Sequence, residues 1–217
     1  MRIVAEGIVV QYPNAPRPVL DGVDLALDDG DSLAILGPSG SGKSTLLSVL
    51  GGFLRPSRGR VWVDPGEDSA GGGPMLRLKD MSSWILQTTN ILPERSALDN
   101  VTIAGLTRGL TRSDARREAV SQLTAVGLGD RQDAPARLLS GGEVQRIVIA
   151  RALISTRPFI LADEPTGQLD HATSDAVLDA LFAATGGAGI VAVTHDPAVA
   201  SRCARIVRID NGTLVAA

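Results

Sequence analysis

The stretch GPSGSGKST, Gly37–Thr45, sets one of the chain's two lysines among glycines and hydroxyls. Nineteen arginines hold the other basic positions save one. A site that needed positive charge alone would hold Arg here, so Lys43 marks a need for a compact ammonium on a flexible stem. LAIL (33–36) before the stretch reads as an apolar strand, and STLLSVL (44–50) after it places Leu46, Leu47 and Leu50 at helical spacing. A strand, a glycine-rich turn and a helix N-terminus in that order converge backbone N–H groups on anionic oxygens, and the helix dipole adds to the field. Gly37-x-x-x-x-Gly42-Lys43-Ser44 therefore reads as a P-loop for a nucleoside triphosphate. Gly37, Ser39, Gly40 and Gly42 build the cradle, Lys43 reaches between phosphates, and Ser44 and Thr45 bring hydroxyls to the helix start. A surface turn with a solvated lysine would leave the flanking strand and helix unexplained.

Outward from this loop, composition narrows the class. The 217 residues are enough for a large core, and the net charge of −3 with no run of Lys and Arg argues against nucleic acid as the main ligand. Glu6 breaks the N-terminal apolar stretch, and no run approaches the ~18 apolar residues of a membrane span, so any membrane role is expected to come through a partner. One cysteine, Cys203, excludes an internal disulfide. Aromatics make up 3% of residues against 44% hydrophobic, so Val, Ile, Leu and Ala build the core, as buried parallel strands require.

RIVAEGIVVQY (2–12), VDLALDDG (23–30) and DSLAILG (31–37) read as strands, and GRVWVD (59–64) as another. The triple glycine at 71–73 follows no strand and reads as a loop. WILQ (84–87) is a short strand, after which the chain is helical to Ser155. Thr111 with Asp114, and Ser140 with Glu143, form capping boxes at two helix starts. FILAD (159–163), GIVAVT (189–194) and ARIVRID (204–210) then alternate with helices near 172–185 and 197–202, which predicts a largely parallel α/β sheet.

A P-loop alone leaves kinases, GTPases, recombinases and transporter motors open. FILADE (159–164) narrows the choice. A buried strand delivers Asp163 at its C-terminal edge, where with Ser44 it can hold Mg²⁺, and Glu164 follows at once to polarise a water for attack on the γ-phosphate. LLSGGEVQR (138–146) is an N-capped helix whose glycines expose its amide-rich end, a second anion site on the same chain.

Together with the P-loop, Gln87, ADEPTGQLD (162–170) and His195, this segment resembles the ATP-binding cassette (ABC) ATPase family over essentially the whole chain. The resemblance implies an α/β fold: a P-loop NTPase (RecA-like) core with an N-terminal antiparallel β subdomain and an inserted helical subdomain. Residues 1–217 would form one nucleotide-binding domain, 1–87 and 156–217 making the β subdomain plus core and 88–155 the helical subdomain with the signature motif. It also implies that two cassettes pair head to tail, Ser140, Gly141 and Gly142 of one closing over the γ-phosphate of ATP held by the other. By the same motifs, Ser44, Gln87 and Asp163 organise Mg²⁺, Glu164 is the catalytic base, His195 contacts γ-phosphate and lytic water, and Asp170 couples the two sites. Tyr12, the sole tyrosine, stands about 25 residues ahead of the P-loop, like the aromatic that stacks on adenine in this family.

One cassette without spans or long insertions resembles a separately encoded transporter motor. GPSGSGKSTLLSVLGGFLRPSRGRV, LQTTNILPERSALDNV and LSGGEVQRIVIARALI look most like the branch of lipoprotein-releasing, macrolide- and peptide-exporting and cell-division cassettes. Its partners are permeases, which implies a peripheral place on the cytoplasmic face of the inner membrane. Leu86, Thr88, Thr89 and Val144 depart from that branch, near the loop where a permease would dock. A slow nucleotide-dependent switch on a membrane partner is the alternative reading, and a P-loop kinase a distant third that leaves LSGGE unexplained.

Overall fold

The computed structural model describes residues 1–65, 76–86, 90–167 and 169–216, which group into two compact units. Gln87, Thr88, Thr89 and the triple glycine at 71–73 lie outside the described residues. The first unit comprises Met1–Ser82, Pro158–Glu164 and Gly187–Ala217. Within it, β1 (Arg2–Val10), β2 (Leu20–Asp28) and β4 (Arg58–Asp64) form an antiparallel sheet in the order β2-β1-β4. Ile3 and Ala5 are buried, then Ile8 and Val10, so the apolar alternation of β1 slips by one residue midway. Register shifts between Ala5 and Ile8 absorb the slip as a bulge, and the Gly7 N–H is taken by Asp24 Oδ1 at 2.7 Å. The bulge keeps Ile3, Ala5, Ile8 and Val10 on the core face, while Val4 and Val9 alternate with them and are half-buried.

The larger sheet of this unit carries β3 (Ser32–Leu36), β6 (Phe159–Asp163), β7 (Gly189–Thr194), β8 (Arg205–Asp210) and β9 (Thr213–Ala216) in the order β6-β7-β3-β8-β9. All pairings are parallel except that of β8 with β9. Every residue of β7 is buried, as are Leu33, Ala34 and Ile35 of β3, which is the covered state that parallel strands require. Helix α1 (Lys43–Leu50) sinks Leu46, Leu47, Val49 and Leu50 into this core against β6 and β7, and α7 (Pro197–Ala200) packs on β3 and β7. Helix α2 (Leu76–Met81) lies beside β4.

The second unit, Ser83–Arg157 with Pro165–Gly186, contains most of β5 (Ser82–Ile85) and four helices: α3 (Ala97–Thr107), α4 (Arg112–Ala125), α5 (Gly141–Ile154) and α6 (His171–Ala184). Helices α3, α4 and α5 pack on one another, and α6 packs on α5. Asn100, 2% exposed, ties the entry to α3: its Oδ1 accepts from Leu92 N at 2.7 Å and its Nδ2 donates to Leu92 O and Ser96 O at 3.0 Å. The Ser140 capping box is complete. At α4 only half of the expected box forms, because the Asp114 carboxylate takes the Thr111 hydroxyl at 2.7 Å while Thr111 Oγ1 accepts from Asp114 N. Aspartate, one methylene shorter than glutamate, stops at the side chain. Among the described residues no helix is long and apolar enough to cross a membrane.

Candidate active site

Strands β6, β7 and β3 are successive parallel neighbours, and their register sets Leu36 beside Thr194 and Val193 beside Asp163. Their C-terminal ends therefore deliver Gly37, His195 and Glu164 side by side, at the edge of a parallel sheet where ligands collect. The turn after β3 is shaped by close approach. A Cβ on Gly37 would stand 2.6 Å from Ser41 Oγ, and Gly42, the N-cap of α1, has φ +102° with Val19 against it, a conformation and a clearance that suit glycine. Lys43 is 8% exposed, and its Nζ donates to Gly37 O at 2.8 Å and Pro38 O at 3.1 Å. Both partners are neutral carbonyls of its own loop, so neither of these hydrogen bonds of the ammonium goes to an anion. Ser41 Oγ is buried with no hydrogen-bond partner among the described residues, an orphaned polar atom in a loop that fits an anionic ligand. Ser39, Gly40 and Ser44 face solvent. Tyr12, 43% exposed, places its hydroxyl 3.4 Å from Thr45 Oγ1, so its ring borders the start of α1.

Burial pushes the Asp163 carboxyl above the usual carboxylate range; adjacent Glu164 adds to this, while a hydrogen bond from Ser44 and the charge of Lys43 oppose it. A half-buried carboxylate with a hydroxyl beside it fits a hard cation that keeps several of its waters. Glu164 adopts φ +46°, the left-handed region that non-glycine residues seldom enter, with its N–H bonded to Val193 O at 2.9 Å. Such strain costs about 1–3 kcal/mol. The turn aims a carboxylate only 11% exposed at the end of β7: Oε1 lies 2.8 Å from His195 Nδ1, and Oε2 accepts from Thr194 Oγ1 at 2.9 Å and His195 N at 3.4 Å. The His195 ring itself is 70% exposed. A contact of Nδ1 to an ionised carboxylate requires a proton on that nitrogen, which turns Nε2 outward. The sequence reading omits Ser41 and Thr194; a hydroxyl one residue before His195 was the available signal.

The second unit holds Ser140, Gly141, Gly142 and Asp170. Glu143 Oε2 accepts from Ser140 N at 2.8 Å and Ser140 Oγ at 2.9 Å, and those bonds, the backbone one foremost, hold its carboxyl below the usual range. Asp170 is the N-cap of α6, accepting from Thr173 N at 3.0 Å and Thr173 Oγ1 at 2.7 Å. A Cβ on Gly142 would stand 2.1 Å from Thr173 Cγ2, whereas one on Gly141 would meet nothing nearer than 3.7 Å. Packing within the chain thus requires glycine at 142 and leaves 141 open.

The sequence matches the ABC transporter family over residues 20–167. It is 41% identical over 215 residues to the macrolide export ATP-binding/permease protein MacB 1/2 of Paracoccus denitrificans, covering 97% of this chain and 32% of that protein. Against the lipoprotein-releasing system ATP-binding protein LolD 1 of Rhodospirillum rubrum it is 41% identical over 204 residues, 92% of this chain and 90% of that one. Among solved structures, the dimeric post-hydrolysis state of the ATP-binding cassette MJ0796, bound to ADP and Pi, superposes with a TM-score of 0.81 at 29% identity, over 98% of this chain and 96% of that one. The fold is that of the P-loop NTPases, in the form that ABC cassettes share. A P-loop, a strand-end Asp-Glu pair and a capped LSGGE helix, in a chain that matches LolD over 92% of its length, make this protein a member of the ABC transporter family, one of its ATPase cassettes.

Proposed function

We propose that residues 1–217 act as one nucleotide-binding domain, the Mg-dependent ATP-hydrolysing motor of an export or mechanotransmission complex, seated on the cytoplasmic face of the membrane through a separate permease. The observation that carries this reading is the Glu164 carboxylate, held by the end of β7 at the mouth of the strand that leads into the P-loop. In the proposed reaction Glu164 takes a proton from a water as the water oxygen bonds to the γ-phosphorus of ATP; the bond from that phosphorus to the β–γ bridging oxygen breaks, and ADP and phosphate leave. Lys43 and the amides of Gly37–Thr45 bind the triphosphate, and Tyr12 stacks on the base. Ser44 and Asp163, with Gln87, would hold Mg²⁺, which neutralises phosphate charge when bound. His195 presents Nε2 to the γ-phosphate.

Ser140, Gly141 and Gly142 would close on the nucleotide of a second cassette in a head-to-tail pair. The open space at Gly141 supports this, since nothing in the chain itself demands glycine there. Asp170 would link the two sites. MJ0796 forms a dimer with ADP and Pi bound, and the likeness to LolD and to a third of MacB favours the lipoprotein, macrolide and cell-division branch as the source of the permease. The test is Glu164→Gln: retained ATP binding, a stable dimer with ATP and loss of turnover are expected. Wild-type hydrolysis by that variant would remove Glu164 as the base.

A further inference from the structure

Among the described residues two side chains touch the Glu164 carboxylate, and they differ in kind. His195 is 70% exposed; Thr194, the last residue of β7, is fully buried. The Thr194 hydroxyl is also directional. Asp196 N–H, which can only donate, bonds to Thr194 Oγ1 at 2.9 Å, so the hydroxyl's own proton is left for Glu164 Oε2, at 2.9 Å on its other side. Asp196 is itself fixed, since it caps α7 by accepting from Ala198 N at 2.8 Å. A relay thus runs from the α7 cap through Asp196 N and Thr194 Oγ1 to the carboxylate. The β-branched Thr194, fully buried and paired with Leu36 at the end of β7, has little freedom at χ1.

We propose that Thr194 is a positioning residue for the hydrolytic base, an inference that rests on Glu164 being that base. By pinning Oε2 from the rigid sheet, Thr194 fixes the plane of the carboxylate and leaves Oε1 as the oxygen that receives the water's proton once His195 turns toward substrate. Glutamate has three rotatable side-chain bonds, and its left-handed backbone aims only the first. Without the hydroxyl, the carboxylate would keep only the exposed His195 ring on Oε1 and the long contact of His195 N, 3.4 Å, on Oε2.

The test compares Thr194→Val, which keeps the shape and removes the donor, with Thr194→Ser, which keeps the donor. For Val, kcat for ATP falls about 10- to 100-fold while KM and ATP affinity stay within about twofold, and Ser retains most of the wild-type kcat. In a Glu164→Gln background Thr194→Val lowers residual turnover no further. Should the valine variant not purify folded, Thr194→Ala against Thr194→Ser carries the same comparison. Wild-type kcat in Thr194→Val alongside an inactive Glu164→Gln overturns the positioning role alone. Parallel loss of kcat, ATP affinity and thermal stability, unrescued by Ser, reduces Thr194 to a structural residue. An active Glu164→Gln would instead strike the base assignment itself.

Discussion

Gly142→Ala separates what the second glycine of LSGG does for the fold from what it does for a ligand. The added Cβ would lie 2.1 Å from Thr173 Cγ2, short of ordinary carbon contact by more than about one ångström, and the next neighbour, Thr173 Cβ, is at 3.6 Å. Thr173 cannot swing aside at no cost. Its Oγ1 is bonded to Asp170 Oδ2 at 2.7 Å and its N–H to Oδ1 at 3.0 Å, the two bonds that cap α6. Either α5 and α6 separate, an overpacking cost of about 1–3 kcal/mol, or the hydroxyl leaves a carboxylate, at about 1.5–3 kcal/mol. Gly142→Ala is therefore expected to destabilise the chain by about 1–3 kcal/mol, read as a lower urea midpoint with an unchanged m-value. Thr173→Ser removes the clashing methyl and keeps the hydroxyl, so the double variant should regain most of the loss, with a coupling of about 1 kcal/mol or more. A Gly142→Ala midpoint equal to wild type, or no recovery with Ser, would refute the packing argument. Turnover that stays low in the restored double variant would assign the glycine to a ligand.

Asp163→Asn should stabilise the nucleotide-free protein. Burial raises this carboxyl above its ordinary value of 3.8, so its ionisation opposes folding; that penalty grows as pH rises from about 4 through the folded pKa and is absent below, where both states are protonated. The urea midpoint of the Asn variant should exceed wild type near pH 7 and converge with it near pH 3; a gain confined to acid would contradict burial as the cause. Cys203 is 8% exposed and its thiol is pushed up to about 11 by burial, so a disulfide reagent at about pH 8 should leave it unmodified in the native chain and label it fully in urea. Prompt native labelling would show that the C-terminal strands open readily.

Elements whose stability is local were legible in the sequence. The buried strands FILAD and GIVAVT, the helix after Lys43 and the capped helix after Ser140 all appear at their expected residues, because apolar runs and caps act over neighbouring positions. The short edge strand β9, four residues that are half-buried or exposed, is too brief to show an alternation and was missed. Contacts made through space were also hidden. Helix α6 follows the core strand β6 in sequence, yet it packs on α5, where Thr173 closes on Gly142. The left-handed turn at Glu164, and the hydroxyl of Thr194 that meets its carboxylate, depend on the register of β6 with β7. Residue types named the chemistry of the P-loop and of the Asp-Glu pair, while the orphaned Ser41 hydroxyl emerged from burial alone.

The capping box at Ser140 limits what that residue can give to a ligand at the LSGGE helix. Both protons that Ser140 offers, from its backbone nitrogen and its hydroxyl, go to Glu143 Oε2. An anion arriving at this helix end meets an internal carboxylate already in possession of them. Recruiting either proton exchanges one charge-assisted hydrogen bond for another, and the net gain is the small difference between two terms of similar size. Glu143 thus stands as a resident competitor: it keeps the helix end intact, and a ligand that recruited Ser140 as proposed would have to displace it and would face its return on leaving.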